Sequence, residues 1–330
     1  DEADVYIINT CTVTNFGDKK SRQLIRKVKR QNENAIVAVV GCYAQTAPEE
    51  LAAVHGVNLV IGTKDKSKIV ELVEDYQAEQ GVQNYVTDIM HERVFEPLEI
   101  KKLANRTRAY LKIQDGCSQF CSYCIIPYAR GPIRSRQPED VIAEVKRLAE
   151  NGFKEVVLTG IHVASYGKDL KTITLTDIIR QVHEVEGIER IRFSSIEPNV
   201  VTEEFAAAMA ELPKVCDHFH LSLQSGCDKT LKEMNRKYDT EKYRQAAALL
   251  RKYLPDVAIT TDIIVGFPGE TEEDYQASRA FAEEIGFSKI HVFPYSPKKG
   301  TPAAARKDQL QNAVKQARSH DLITVSDRMT

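Results

Sequence analysis

The 330-residue chain reads as an α/β protein: a small parallel α/β N-terminal domain followed by a partial (βα)6 TIM-like barrel. Three observations predict this. Short β-branched apolar runs alternate with longer amphipathic stretches along most of the chain, the pattern of parallel strands joined by crossover helices. The alternation is interrupted once, between about residues 77 and 105, where the sequence turns polar and weakly patterned. After that break come six strand–helix units, two short of the eight that close a barrel.

The elements follow in order. Residues 4–9 form an apolar run that ends at Cys11, and a basic amphipathic helix is expected over 18–31. A second apolar run, 35–40, ends at Gly41 and Cys42. A helix near 48–54, a strand at 58–61 and a helix near 66–75 complete the first series. The polar stretch 77–105 suits a linker with a hairpin or an edge strand. Strands of the second series are expected near 109–113, 155–158, 190–193, 218–221, 258–264 and 289–293. Helices are expected near 138–150, 175–185, 202–211, 229–252 and 272–284, with a last one over 308–328. This divides the chain into residues 1–90, a linker at 91–105, and a barrel over 106–330. Cys11 and Cys42 fall just past the C-terminal ends of strands, the edge where open α/β sheets bind ligands.

Composition narrows the function. Hydrophobic residues are 42% and charged residues 28% of the chain, as in a cored globular protein. The formal charge of −2 excludes a globally basic nucleic-acid binder but leaves room for local basic faces. No apolar run approaches the roughly 20 residues of a membrane helix, and the N-terminus is not a signal peptide. Seven cysteines, an odd number, are too sparse for a disulfide scaffold and suit reduced thiols in a cytoplasmic protein.

Three of those cysteines, Cys117, Cys121 and Cys124, crowd into one loop with the spacing C-x3-C-x2-C. Thiolates are soft ligands suited to iron or zinc. A cubane iron–sulfur cluster normally takes four cysteines, so three would leave one iron open to a non-protein ligand. Structural zinc, the alternative, takes four ligands in a closed site, and no fourth Cys or His lies nearby. Cys216 and Cys227 stand apart and read as ordinary buried thiols.

The words around the cysteines carry a resemblance. CSQFCSYCIIPYARG over 117–131, IRSR over 133–136, LTGIH over 158–162, SSIEP over 194–198, HLSLQSG over 220–226 and TDIIVGFPGE over 261–270 together resemble the methylthiotransferases of the radical S-adenosylmethionine superfamily. NTCTVT over 9–14 and GCYAQ over 41–45 match the same family. The first of these words and the YARG-x-IRSR run look most like the branch that modifies N6-threonylcarbamoyladenosine in tRNA.

The resemblance implies two [4Fe-4S] clusters and S-adenosyl-L-methionine as cofactors. Cys117, Cys121 and Cys124 would hold the catalytic cluster. Cys11 and Cys42 would be the second and third ligands of the other, with the first expected upstream of residue 1. A C-terminal RNA-binding β-barrel is expected beyond this chain, which would be the central part of a longer protein. Tyr123, Gly160, Ser194, Ser195, Glu197, Gln224, Arg236 and Ile264 would contact S-adenosylmethionine, Arg236 through the methionine carboxylate. His162 and Tyr166 would flank the mouth. Arg130, Arg134 and Arg136 would face the anticodon loop of tRNA, with lysines and arginines of 19–30, 101–108 and 298–299 as further basic groups. The implied reaction is methylthiolation of the adenosine 3′ of the anticodon (position 37), with an electron donor and a sulfur source as partners. The same chemistry on isopentenyladenosine tRNA or on a ribosomal-protein side chain, and a non-catalytic iron–sulfur RNA-binding protein, are the alternatives.

Overall fold

The computed structural model describes residues 2–97 and 107–329. The first part comprises β1 (Val5–Thr10), α1 (Asn15–Gln31), β2 (Ile36–Gly41), α2 (Cys42–Thr46), α3 (Pro48–Ala52), β3 (Leu59–Ile61), α4 (Ile69–Glu74) and β4 (Gln83–Asn84). These strands pair in the order β1-β2-β3-β4, all parallel. β2 is apolar without alternation because both of its faces are covered, and Val37, Ala38 and Val39 are wholly buried. Helix α1 starts where the Thr14 side chain accepts from the Gly17 N–H, filling one of the donors a helix leaves open. Its Ile25 and Val28 pack on the sheet, while Arg26, Lys27 and Arg30 face outward along a large surface groove. The polar stretch yields β4, an edge strand parallel to β3 and not a hairpin. Residues 98–105 of the expected linker, with Lys101 and Lys102, lie outside the described residues, as does Arg106 just after it.

The second part comprises β5 (Arg108–Asp115), α5 (Ile126–Arg130), β6 (Arg134–Ser135), α6 (Pro138–Glu150), β7 (Glu155–Gly160), α7 (Leu175–His183), β8 (Arg190–Phe193), α8 (Glu203–Ala210), β9 (His218–His220), α9 (Asp228–Glu233), α10 (Thr240–Tyr253), β10 (Ala258–Val265), α11 (Glu272–Ile285), β11 (Lys289–Pro294) and α12 (Asn312–Met329). Strands β5, β7 and β8 pair parallel in that order, as do β9, β10 and β11. Parallel bridges Ile191–Val215 and Ile196–Leu221 join the two groups. The short antiparallel β6 sits on the outer edge of β5. Six parallel strands thus curl into an open barrel.

Side chains alternate across these strands. Ala109, Leu111 and Ile113 of β5 pack with Val141, Val145 and Leu148 of α6 in the main core. Their neighbours Tyr110, Lys112 and Gln114 face the concave side. Burying each large apolar side chain stabilises the fold by roughly 1.5–3 kcal/mol before entropy is counted. The helix expected over 229–252 is two helices. Asn235 takes a left-handed φ of 59° between them, and the Asp239 side chain caps α10 by accepting from the Lys242 N–H.

The two parts are tied by polar contacts. Asn15 Nδ2 donates to the Pro297 carbonyl at 2.9 Å, Thr63 Oγ1 donates to the Ala129 carbonyl at 2.7 Å, and Lys298 pairs with the Asp18 carboxylate. Both members of that ion pair are buried.

Candidate functional site

The loop after β5 begins at Gly116, whose φ is +73°. A Cβ there would stand 1.8 Å from the Pro132 carbonyl oxygen, so only glycine lets the chain turn against β6. The loop is then fastened from several sides. Cys117 N donates to the Gly131 carbonyl at 3.0 Å and Ser122 N to the Met234 carbonyl at 3.0 Å. Ser122 Oγ donates to the Glu233 carbonyl at 2.8 Å and Asn235 Nδ2 to the Phe120 carbonyl at 2.8 Å. This leaves Cys121 buried and Cys117 and Cys124 half-buried. Burial pushes the Cys117 thiol up to about 11 and the Cys124 thiol up to about 12. Such thiols stay neutral at pH 7 unless a metal draws off the proton. A multi-iron cluster takes each thiol on a different iron, and three soft donors on one clamped loop fit such a cluster.

Arg236 binds the loop to the barrel mouth. Its Nη1 donates to Cys121 Sγ at 3.2 Å, its Nη2 to Glu197 Oε1 at 2.8 Å and its Nε to the Tyr238 hydroxyl at 2.9 Å. On the far side of Glu197, His162 Nε2 lies 3.2 Å from Oε1, and His162 Nδ1 meets Ser165 Oγ at 2.6 Å. Burial alone would push the Glu197 carboxyl up, but His162 and Arg236 outweigh it and hold the group below its ordinary value. The sequence reading gave Arg236 to a ligand carboxylate; the structure instead engages it with Cys121, Glu197 and Tyr238. The chain His162–Glu197–Arg236–Cys121 was not legible as a unit, since its members lie on four separate loops.

The other expected ligand contacts surround this mouth. Tyr123 and Ile264 pack together with Met234, Phe267 and Tyr295. At Gly160 a Cβ would come within 2.7 Å of Gln114 Oε1, so the glycine leaves room beside Gln114, whose amide bonds the Asp115 and Gly116 carbonyls. Ser194 Oγ is buried with no hydrogen-bond partner, an orphan that a ligand would satisfy. Ser195 is exposed. Gln224 holds a φ of +71° while its backbone bonds Asp262 and Ile264. An unsatisfied hydroxyl at Ser194 and an apolar wall with Tyr123 fit S-adenosylmethionine. Tyr166 does not flank the mouth: it is buried, and its hydroxyl donates to the Arg136 carbonyl at 2.9 Å.

Cys11 and Cys42 follow a paired rung of β1 and β2, Thr10 opposite Gly41. Gly41 has φ +100° and lies against Asn9 and Thr10 too closely for a Cβ. The two cysteines therefore follow adjacent strand ends, Cys11 exposed and Cys42 buried. The approach from the barrel is made by Arg130, at the end of α5, whose Nε donates to Cys42 Sγ at 3.1 Å. Burial would pull this guanidinium down, but Cys42 and Asp115 outweigh it and raise it. The three arginines expected to face RNA do not share a surface. Arg134 is buried, 3.6 Å from Asp115 Oδ2. Arg136 is buried against Glu144 at 2.5 Å, so its charge is neutralised inside the fold and it cannot reach an RNA. Cys216 and Cys227 lie in the barrel, away from both cysteine sets, and Cys227 Sγ is 3.6 Å from Asp274 Oδ1.

Comparison with known proteins agrees with this geometry. Residues 111–282 match the Radical SAM superfamily, and residues 1–62 match the Uncharacterized protein family UPF0004. The chain is 48% identical over 328 residues to the threonylcarbamoyladenosine tRNA methylthiotransferase MtaB of Bacillus subtilis, covering 99% of this chain and 73% of that protein. It is 42% identical to the MtaB of Aquifex aeolicus, covering 96% of this chain and 77% of that protein. A tRNA-2-methylthio-N(6)-dimethylallyladenosine synthase of Thermoanaerobacter is 40% identical, covering 100% of this chain and 71% of that protein. Among solved structures, the radical S-adenosylmethionine methyltransferase TsrM of Kitasatospora setae shares the fold, with a TM-score of 0.69 at 17% identity over 92% of this chain and 66% of that one. No helix among the described residues is long and apolar enough to cross a membrane. With identity sustained over nearly its whole length and both sets of cysteines at strand ends, the chain belongs to the tRNA methylthiotransferase family of the radical S-adenosylmethionine superfamily.

Proposed function

We propose that this protein converts N6-threonylcarbamoyladenosine at position 37 of tRNA to its 2-methylthio derivative. The observation that carries the reading is the contact of Arg130 with Cys42. It supports two cysteine sets facing a common space, where one site can start radical chemistry and the other can deliver sulfur. Cys117, Cys121 and Cys124 would hold an iron–sulfur cluster that would supply the electron for reductive cleavage of S-adenosylmethionine, and Cys11 and Cys42 would help hold a second that would supply sulfur. The protein's own share is placement and exclusion of water. Ser194 and Glu197 orient the polar parts of S-adenosylmethionine, Tyr123 and Ile264 enclose its base, and Arg236 steadies Cys121. Ser195, Gly160 and the Gln224 backbone complete the mouth. An unpaired anticodon-loop base can be turned into such a pocket at modest cost.

The threonylcarbamoyl assignment is supported by the two MtaB relatives and by the words at 9–14 and 128–136. Outward groups on α1, namely Arg26, Lys27 and Arg30, make no ion pair among the described residues and suit phosphate contacts that position RNA without reading its sequence. An electron donor, a sulfur source and a cytoplasmic location complete the reading. The test supplies the full-length enzyme with tRNA bearing either threonylcarbamoyl- or isopentenyladenosine and analyses the nucleosides by mass spectrometry. Methylthiolation of the threonylcarbamoyl form alone is expected. Equal use of both, or use of the isopentenyl form alone, would overturn the substrate while leaving the radical chemistry intact.

A further inference from the structure

Between the two parts of the molecule lies a cavity of about 280 Å³ whose lining includes Lys66, Lys112, Arg130 and Arg134. Three of these four cations share one carboxylate. Asp115 pairs with Lys112 and lies 3.6 Å from both Arg130 and Arg134. The other acidic groups of the lining are already engaged: Glu92 with Lys64 at 2.7 Å, Asp65 with Lys68 at 3.1 Å, and Glu96 with the Ser67 N–H and hydroxyl. The Lys66 side chain makes no ion pair or hydrogen bond among the described residues, although it feels Arg130, Lys112 and Asp115. Half-buried cations without a partner carry a desolvation cost that an incoming anion would relieve. Arg130 also touches Cys42, so a group entering the cavity lies beside the N-terminal cysteines.

We propose that this cavity is an anion subsite that takes the carboxylate at the end of the substrate's threonylcarbamoyl arm, with Lys66 as its principal ligand and Arg130 and Lys112 beside it. The inference rests on the threonylcarbamoyl reading above. An internucleotide phosphate has the same anionic oxygens, but it is flanked by two sugars, and a cavity this small, walled by Ile89, Phe95 and Pro97, suits a group that ends a single arm. Isopentenyladenosine carries no charge and would leave the cations unanswered, which makes the same cavity a device for choosing between the two modified bases.

The experiment uses the full-length enzyme and anticodon stem-loop RNAs bearing threonylcarbamoyladenosine, the same nucleoside with its carboxylate converted to a primary amide, or unmodified adenosine. Binding is read by fluorescence anisotropy and KM by nucleoside mass spectrometry. Wild type should bind the carboxylate RNA about tenfold or more tightly than the amide RNA. Lys66→Ala should bring the two to within about twofold, and Lys66→Arg should restore most of the preference; melting temperatures of both variants check that they are folded. If Lys66→Ala weakens all three RNAs alike, the site is a backbone phosphate contact and the carboxylate assignment is wrong. If Lys66→Ala leaves the preference intact, the cavity is not the subsite. Should wild type methylthiolate none of the threonylcarbamoyl RNA yet accept isopentenyl RNA, the substrate reading itself has failed, a result distinct from either of these.

Discussion

Arg236 divides its guanidinium among the Cys121 sulfur, the Glu197 carboxylate and the Tyr238 hydroxyl. The pair with Glu197 is almost wholly buried, with side-chain exposures of 7% and 8%. Removing one member of such a pair leaves an uncompensated charge and costs about 3–5 kcal/mol. Arg236→Ala should therefore lower the melting temperature and abolish reductive cleavage of S-adenosylmethionine, followed by chromatography of 5′-deoxyadenosine. Arg236→Lys should recover little, because one ammonium cannot fork to three partners. Wild-type cleavage by either variant would remove Arg236 from the machinery. The cysteines separate more sharply. Replacing Cys117, Cys121 and Cys124 by Ala should eliminate the bound iron of that site, whereas Ser at Cys216 or Cys227 should leave iron content unchanged. Residue types and spacing revealed the thiols; the burial of Arg136 was also readable, in hindsight, from Glu144. That carboxylate falls in the stripe Val141, Glu144, Val145, Leu148 that α6 turns inward, where an acidic side chain requires a buried cation.

At the scale of elements, alternation and length located the six parallel strands of the barrel, because parallel strands covered by helices are apolar and short, but not the two-residue antiparallel β6. The misread element was the single helix expected over 229–252. Its break needs Asn235 in a left-handed turn, and Asp239 ahead of Thr240 is a cap signal that the apolar periodicity masked. The β5–α5 turn makes a specific prediction. Gly116→Ala forces a methyl into the Pro132 carbonyl and should displace the loop, cutting iron loading severalfold or more. Gly152 also has a positive φ, +86°, but faces open space, so Gly152→Ala should cost only about 1–2 kcal/mol and keep its iron. Comparable iron content in both would mean that the turn is not what fixes the loop. Helix α10 carries a pH response. Tyr243 is fully buried, its hydroxyl donating to the Leu221 carbonyl at 2.7 Å, and burial raises its ionisation well above the ordinary 10.0. The folded state thus favours the neutral phenol. Its stabilisation is complete below pH 10 and lost as pH climbs above that value. Denaturant midpoints should fall in alkali for wild type and fall less steeply for Tyr243→Phe.

At the scale of the molecule, the cysteine sets are set against each other by an interface that no local pattern announces, since its partners are far apart in sequence: Asp18 with Lys298, Asn15 with Pro297, Thr63 with Ala129, Cys42 with Arg130. Lys298 was read as a surface charge, yet it is 5% exposed and lies over the Tyr43 ring at 5.7 Å from its centroid. Losing one member of that buried pair should cost about 3–5 kcal/mol. Lys298→Met keeps the volume and removes the charge, leaving Asp18 unanswered beside Tyr43. On the proposed function, reductive cleavage of S-adenosylmethionine would draw on barrel residues alone, whereas methylthiolated product would need the base, the barrel mouth and the N-terminal cysteines at one separation. Lys298→Met should therefore reduce product far more than 5′-deoxyadenosine, raising the ratio of cleavage to product. Adding Asp18→Leu removes the stranded charge and should restore the melting temperature toward wild type, while coupling returns only as far as packing alone can hold the interface. A parallel fall of product and 5′-deoxyadenosine in folded Lys298→Met protein would show that the two cysteine sets do not depend on this contact for their alignment.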